Sequence, residues 1–164
     1  ELYPPGTRSG LMTFNADQKL VPHIQVVVPL LFNTDAQWAE LAPQFAQSLA
    51  TIPVGGGTPL YQAILNGYLY ALEEVDPTIT NRMIVLTDGK DEAARGVIDE
   101  PTLITQLQAA RAQDKPISLV LVAIGRDADG DALKRVADAT GATFLWVRDF
   151  AEFPAMASSL LYGR

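Results

Sequence analysis

Apolar positions follow two patterns along the chain, and their alternation predicts the architecture. Apolar runs of strand length occupy Arg82-Met83-Ile84-Val85-Leu86-Thr87, which stops at Asp88-Gly89, and Ile117 to Ile124, interrupted by Ser118. Runs of this kind suit strands buried on both faces, as in a parallel sheet. Shorter apolar segments, Ser9 to Asn15 and Phe144 to Val147, read as further strands. The valine-rich stretch from Val21 to Phe32 is extended too, but Pro22 and Pro29 place it on a sheet edge, because proline cannot donate to a ladder.

Between these segments, apolar residues recur at steps of three and four, the spacing of one helix face. Trp38, Leu41, Phe45 and Leu49 form one stripe, Tyr61, Ile64, Tyr68 and Leu72 a second, and Leu103, Ile104, Leu107 and Ala110 a third within Pro101 to Gln113. Leu133, Val136 and Ala137 begin a fourth, and Phe150, Phe153, Met156 and Leu160 line a closing helix. Local signals bound them. Asn33, Thr34 or Asp35 suits the first cap, Asp76-Pro77 stops the second helix, and the carboxylates at Asp127, Asp129 and Asp131 cap the fourth, which ends at Gly141. The order is strand, strand, helix, helix, strand, helix, strand, helix, strand, helix. It predicts an α/β fold: a Rossmann-like doubly wound, mostly parallel sheet with helices on both faces.

Length and composition narrow this further. A chain of 164 residues makes one domain, 1–164, with 48% hydrophobic and 19% charged residues, an ordinary globular balance. No apolar run approaches a membrane span. The formal net charge of −7 repels phosphate backbones, which argues against a nucleic-acid partner. With no cysteine there are no disulfides, thiolate metal sites or cysteine nucleophiles. The chain opens Glu1-Leu2-Tyr3-Pro4-Pro5-Gly6 without a signal peptide and reads as a piece of a longer polypeptide.

Candidate chemistry centres on Val54-Gly55-Gly56-Gly57-Thr58-Pro59-Leu60. Three glycines deliver the backbone to a threonine suited to capping a helix and a proline suited to its first turn. Taken alone, the stretch reads as punctuation between helices before it reads as a binding loop. It is not a GxGxxG or Walker A motif, and no paired catalytic carboxylates or GxSxG turn accompany it. Asp127, Asp129 and Asp131 do not make a calcium loop, since Ala132 stands where glycine is required and Asp138 where glutamate is. His23, the only histidine, reads as a surface imidazole. What remains is hard oxygen chemistry: the Thr58 hydroxyl, and the Asp88 carboxylate where a parallel strand ends.

GGGTPLYQAI at Gly55 to Ile64, followed by MIVLTDGKDE at Met83 to Glu92, resembles the von Willebrand factor type A domain. SGLMTFN, LVLVAIG and ALKRVADATGATF fall where that family has its corresponding elements. The resemblance implies a protein-binding, adhesion-type module rather than an enzyme, with a metal-ion-dependent adhesion site. In this sequence Thr58 and Asp88 would be its magnesium ligands, supported by Gly55, Gly56 and Gly57, and a protein ligand's carboxylate would complete the shell. The family's third element, a DxSxS motif on the first strand, does not occur in the sequence. The resemblance therefore implies that the N-terminal strand and first helix are missing, that the metal site is incomplete, and that self-association or strand complementation fills the gap. It favours a cell-surface or extracellular setting. Two other readings are a Rossmann-like enzyme using the glycine loop and Asp88 as a phosphate or phosphoryl site, and a metal-free scaffold within a larger assembly.

Overall fold

The computed structural model describes residues 8–14, 24–32, 43, 46–47, 50–51, 57–92, 98–112, 117–152 and 156. The chain divides into two compact units, Glu1–Gly57 and Thr58–Arg164.

In the first unit, β1 (Arg8–Phe14) pairs antiparallel with β2 (Ile24–Phe32). Pro29 lies inside β2, and the ladder accommodates it by a slip: Ser9 faces Leu31 and Leu11 faces Val28, so Gly10 stands opposite both Leu30 and Pro29. An extra residue at that point leaves the missing proline N–H outside the paired positions. Of the helix expected over Trp38 to Leu49, the stripe residues lie outside the described ones. Pro43, Ala46, Gln47, Ala50 and Thr51 are helical and exposed, as expected of positions off the apolar stripe.

The second unit is built on three parallel strands in the order β3 (Asn81–Thr87), β4 (Ile117–Ile124), β5 (Thr143–Val147). Asn81 to Thr87 align with Ile117 to Ala123, and Val120 to Ile124 with Thr143 to Val147. The continuous apolar composition of β4 follows from its central place: Val120, Leu121, Val122 and Ala123 are all buried. Helix α1 (Leu60–Glu74) precedes β3, while α2 (Glu100–Arg111) and α3 (Gly130–Thr140) make the two parallel crossovers.

Alternate residues of the strands serve different layers. Val120, Val122 and Val147 form a buried cluster joined by Ile84, Ile124, Leu145 and the helical Met156. The opposite face carries Trp146, whose ring lies against Gly130 at the start of α3. A helix thus covers the face of Trp146, and helical Met156 packs on the other.

Local chemistry explains the helix limits. Asp99 caps α2, its carboxylate accepting from the Thr102 N–H at 3.0 Å, with Pro101 in the first turn. Of the three carboxylates before α3, Asp129 is the cap, accepting from the Ala132 N–H at 3.0 Å, and Gly141 closes the helix with φ of 70°. After α1, Val75 is extended and Asp76 turns the chain by accepting from the Thr78 N–H at 2.8 Å. Where the closing helix is expected, Phe150–Glu152 form one 3₁₀ turn, and Phe153 and Leu160 lie outside the described residues.

Candidate functional site

The site is assembled where β3 ends and α1 begins. Thr87 is buried, 6% exposed, and its hydroxyl accepts from the Gly89 N–H at 3.3 Å, turning the chain so that Asp88 stands exposed. A Cβ placed on Gly89 would lie 3.2 Å from the Thr58 hydroxyl oxygen, tighter than ordinary contact. A side chain here would press on the threonine by a few tenths of an ångström, so Thr58 lies close to the residue that follows Asp88. Gly57 precedes Thr58 in the chain and is partly buried; Gly55, Gly56 and His23 lie outside the described residues.

Thr58 does not cap the helix, contrary to the sequence expectation. The cap residue is Pro59, which makes no side-chain capping bond, and the first turn of α1 holds no acidic residue. The missing acceptors come from 30 and 34 positions away: Asp91 accepts from the Tyr61 N–H at 3.0 Å, and Glu92 accepts from the Thr58 N–H at 3.2 Å. The Glu92 N–H in turn donates to the Thr58 carbonyl at 2.8 Å. Asp91 thus serves an amide of the first turn and Glu92 ties down Thr58 ahead of the cap, while the Leu60 N–H donates to the Thr58 carbonyl at 2.8 Å. The sequence carried one signal for them, two acids directly behind TDGK, which reads only as a polar segment until the fold brings it to α1.

Burial raises the Asp91 carboxyl above its ordinary range, opposed by the amides of Tyr61 and Leu60. Beside it, the Tyr61 phenol is pushed up to about 12, first by burial and then by the charges of Glu100, Asp91 and Asp129. Its hydroxyl donates to Glu100 at 3.5 Å, and Glu100 also receives two bonds from Arg135, at 2.8 and 2.7 Å. The guanidinium holds the Glu100 carboxyl below the usual range. No sequence spacing joins these three residues.

A phenol whose pKa is higher folded than unfolded contributes stability that is complete below the unfolded value, near 10, and lost as pH rises toward about 12. Stability should therefore fall across that window, and Tyr61→Phe should flatten the fall in denaturant midpoints measured at successive pH values. The fall should not vanish, because burial raises Tyr68 as well.

Thr58 and Asp88 offer oxygens, the donor type magnesium takes. In kind they fit a hard cation; in number they are short of a shell. Among the described residues no group of three or more His, Cys, Asp or Glu is placed to hold a metal ion. A separate open groove of about 280 Å³ lies along α1 and α2, lined by Leu65, Leu69, Gln106, Ala109 and Ala110, and includes neither Thr58 nor Asp88. Among the described residues, no helix is long and apolar enough to cross a membrane.

The von Willebrand factor type A domain family matches residues 1–159 of the chain. Among solved structures, a von Willebrand factor type A protein from Catenulispora acidiphila is similar with a TM-score of 0.72 at 20% identity, over 98% of this chain and 34% of that one. Proximal thread matrix protein 1 from the mussel byssus is similar with a TM-score of 0.62 at 16% identity, over 94% and 36%. The ArnB paralog VWA2 from Sulfolobus acidocaldarius follows with a TM-score of 0.54 at 18% identity, over 96% and 35%. The chain thus spans about a third of these proteins' lengths, and at such identities the likeness is one of fold. No curated protein matches the chain in sequence.

Proposed function

Since the chain belongs to the von Willebrand factor type A domain family, whose members serve generally as protein-interaction modules, we propose that it binds a protein partner at the corner formed by Thr58 and Asp88. A magnesium ion would sit there when the site is complete, and a carboxylate of the partner would close its shell. The proposal is of binding, not catalysis. The observation that carries it is the closeness of the Thr58 hydroxyl to Gly89, where an added Cβ would lie 3.2 Å from it, beside an exposed Asp88 at the carboxyl end of a parallel strand. Ligands of open α/β sheets gather at such ends.

The same neighbourhood weighs against a phosphate or phosphoryl site. A helix start attracts anions through unpaired N–H groups, but here the Asp91 and Glu92 carboxylates already take those of Tyr61 and Thr58. A phosphate would have to displace or adjoin two negative charges.

A second contact is part of the proposal. β3 ends the three-stranded sheet, and Met83 and Ile84 are only partly buried while Leu86 is 44% exposed. An added strand pairing along β3, from another segment, another copy or another polypeptide, would use its backbone groups and cover these side chains.

Thr58→Ala and Asp88→Ala should each weaken Mg²⁺ binding and partner binding by about tenfold or more, equivalent to roughly 1.4 kcal/mol. Away from the core, the fold should keep its melting temperature. Calorimetric titration with Mg²⁺, and partner binding by the parent protein with and without a chelator, read the effect. Partner affinity indifferent to the chelator and to both substitutions would sink the metal-site reading and favour a metal-free scaffold.

A further inference from the structure

A helix opens with N–H groups that its own backbone cannot satisfy. At the start of α1 the Leu60 N–H donates to the Thr58 carbonyl at 2.8 Å, but no local side chain helps: the cap residue is a proline that makes no side-chain capping bond, and the first turn holds no acid. Yet this turn carries Thr58 directly ahead of it, at the corner assigned above to partner binding. The acceptors arrive from the far end of a five-residue tie, Asp88 to Glu92, whose near end is turned by the bond between Thr87 and Gly89. Glu92 grips Thr58 twice, accepting from its N–H at 3.2 Å and donating to its carbonyl at 2.8 Å. Asp91 holds the first turn through the Tyr61 N–H at 3.0 Å.

We propose that Asp91 and Glu92 form a latch that sets where Thr58 presents its hydroxyl relative to Asp88, and that this latch holds the corner in register without an ion. Both are positioning residues. Their carboxylates are engaged by backbone N–H groups, and hydrogen bonds to an ionised acceptor are the stronger kind. The tie is short enough that moving Asp88 requires moving the latch. The corner is therefore preformed, and a ligand need not bear the cost of ordering it. The inference rests on the reading of Thr58 and Asp88 as the contact corner.

The test is amide hydrogen exchange on the full chain in chelator, followed by Mg²⁺ titration. Asp91→Ala should speed exchange at Tyr61, and Glu92→Ala at Thr58, by about tenfold or more, the scale of losing a bond to a charged acceptor. Amides of α2 and α3 should keep their protection. Glu92→Gln retains an acceptor oxygen and should restore most of the protection lost in Glu92→Ala. Excess Mg²⁺ should not restore protection in either alanine variant, and these variants should bind Mg²⁺ more weakly than the parent although neither residue is assigned to the ion. Unchanged exchange in both alanine variants would overturn the latch, as would protection that disappears in chelator and returns with Mg²⁺. Loosened amides in a chain whose parent form binds no Mg²⁺ would support the latch and sink the metal-site reading, so the two failures are distinguishable.

Discussion

Leu121→Ala should cost about 2–5 kcal/mol of folding stability, the range for emptying a buried leucine site, and Leu86→Ala should cost far less. Leu121 is fully buried on the central strand β4, with strands on both sides. Leu86 belongs to β3 at the sheet's end, is paired in register with Val122, and remains 44% exposed. Truncating it removes contacts that water already shares. Denaturant unfolding of the two variants compares them directly, and sedimentation of the parent chain shows whether it is alone. A Leu86→Ala cost equal to that of Leu121→Ala in a monomer would mean that β3 is already covered, ending the proposal of an added strand. A cost that grows with protein concentration would identify the added strand as coming from another copy.

Gly130→Ala should destabilise the chain by about 1–3 kcal/mol, the usual penalty for overfilling a packed site. The sign is informative, because alanine in place of glycine ordinarily favours a helix by up to about 1 kcal/mol. Here the added carbon would lie 2.7 Å from the Trp146 ring and within 2.8 Å of two more of its atoms. These belong to the body of the indole, not to a flexible tip. The ring cannot retreat at no cost: its N–H donates to the Gly125 carbonyl at 2.9 Å, and the Arg148 guanidinium lies 4.8 Å from its centroid. Thermal unfolding together with the indole N–H resonance of Trp146 reads the outcome. A higher melting temperature with that resonance unmoved would show that the helix start and the ring are not in tight contact.

The central strands were legible because continuous apolar runs have few other uses; Ile117–Ile124 is a strand over the whole expected run. Gly141 marks its helix end because a left-handed residue there favours glycine. The α1 cap was misread for an equally physical reason. Threonine before proline has the right composition for a local cap, but capping is decided by which acceptor reaches the amides, and Asp91 and Glu92 are placed by the fold, not by proximity in sequence. The Tyr61, Glu100 and Arg135 group was invisible for the same reason, since its members meet only when the starts of α1 and α2 and the middle of α3 converge. Thr58 and Asp88 could be named as candidates from the sequence because a hydroxyl and a carboxylate at element ends are conspicuous there.

Pro29 gives the β1–β2 pair an index mark. An antiparallel ladder that slides by one residue turns every side chain to the other face, and many sequences tolerate a population of such misalignments while folding. In this pair the residue without an N–H sits at one of the two register shifts, the slip where Gly10 stands opposite Leu30 and Pro29; the other falls between Leu11 and Met12. An alignment that aims the proline nitrogen at β1 leaves a β1 carbonyl without its donor. Misaligned hairpins are thereby made poor competitors from the first encounter of the two segments, so that the residue least suited to a strand acts as the proofreader of its alignment.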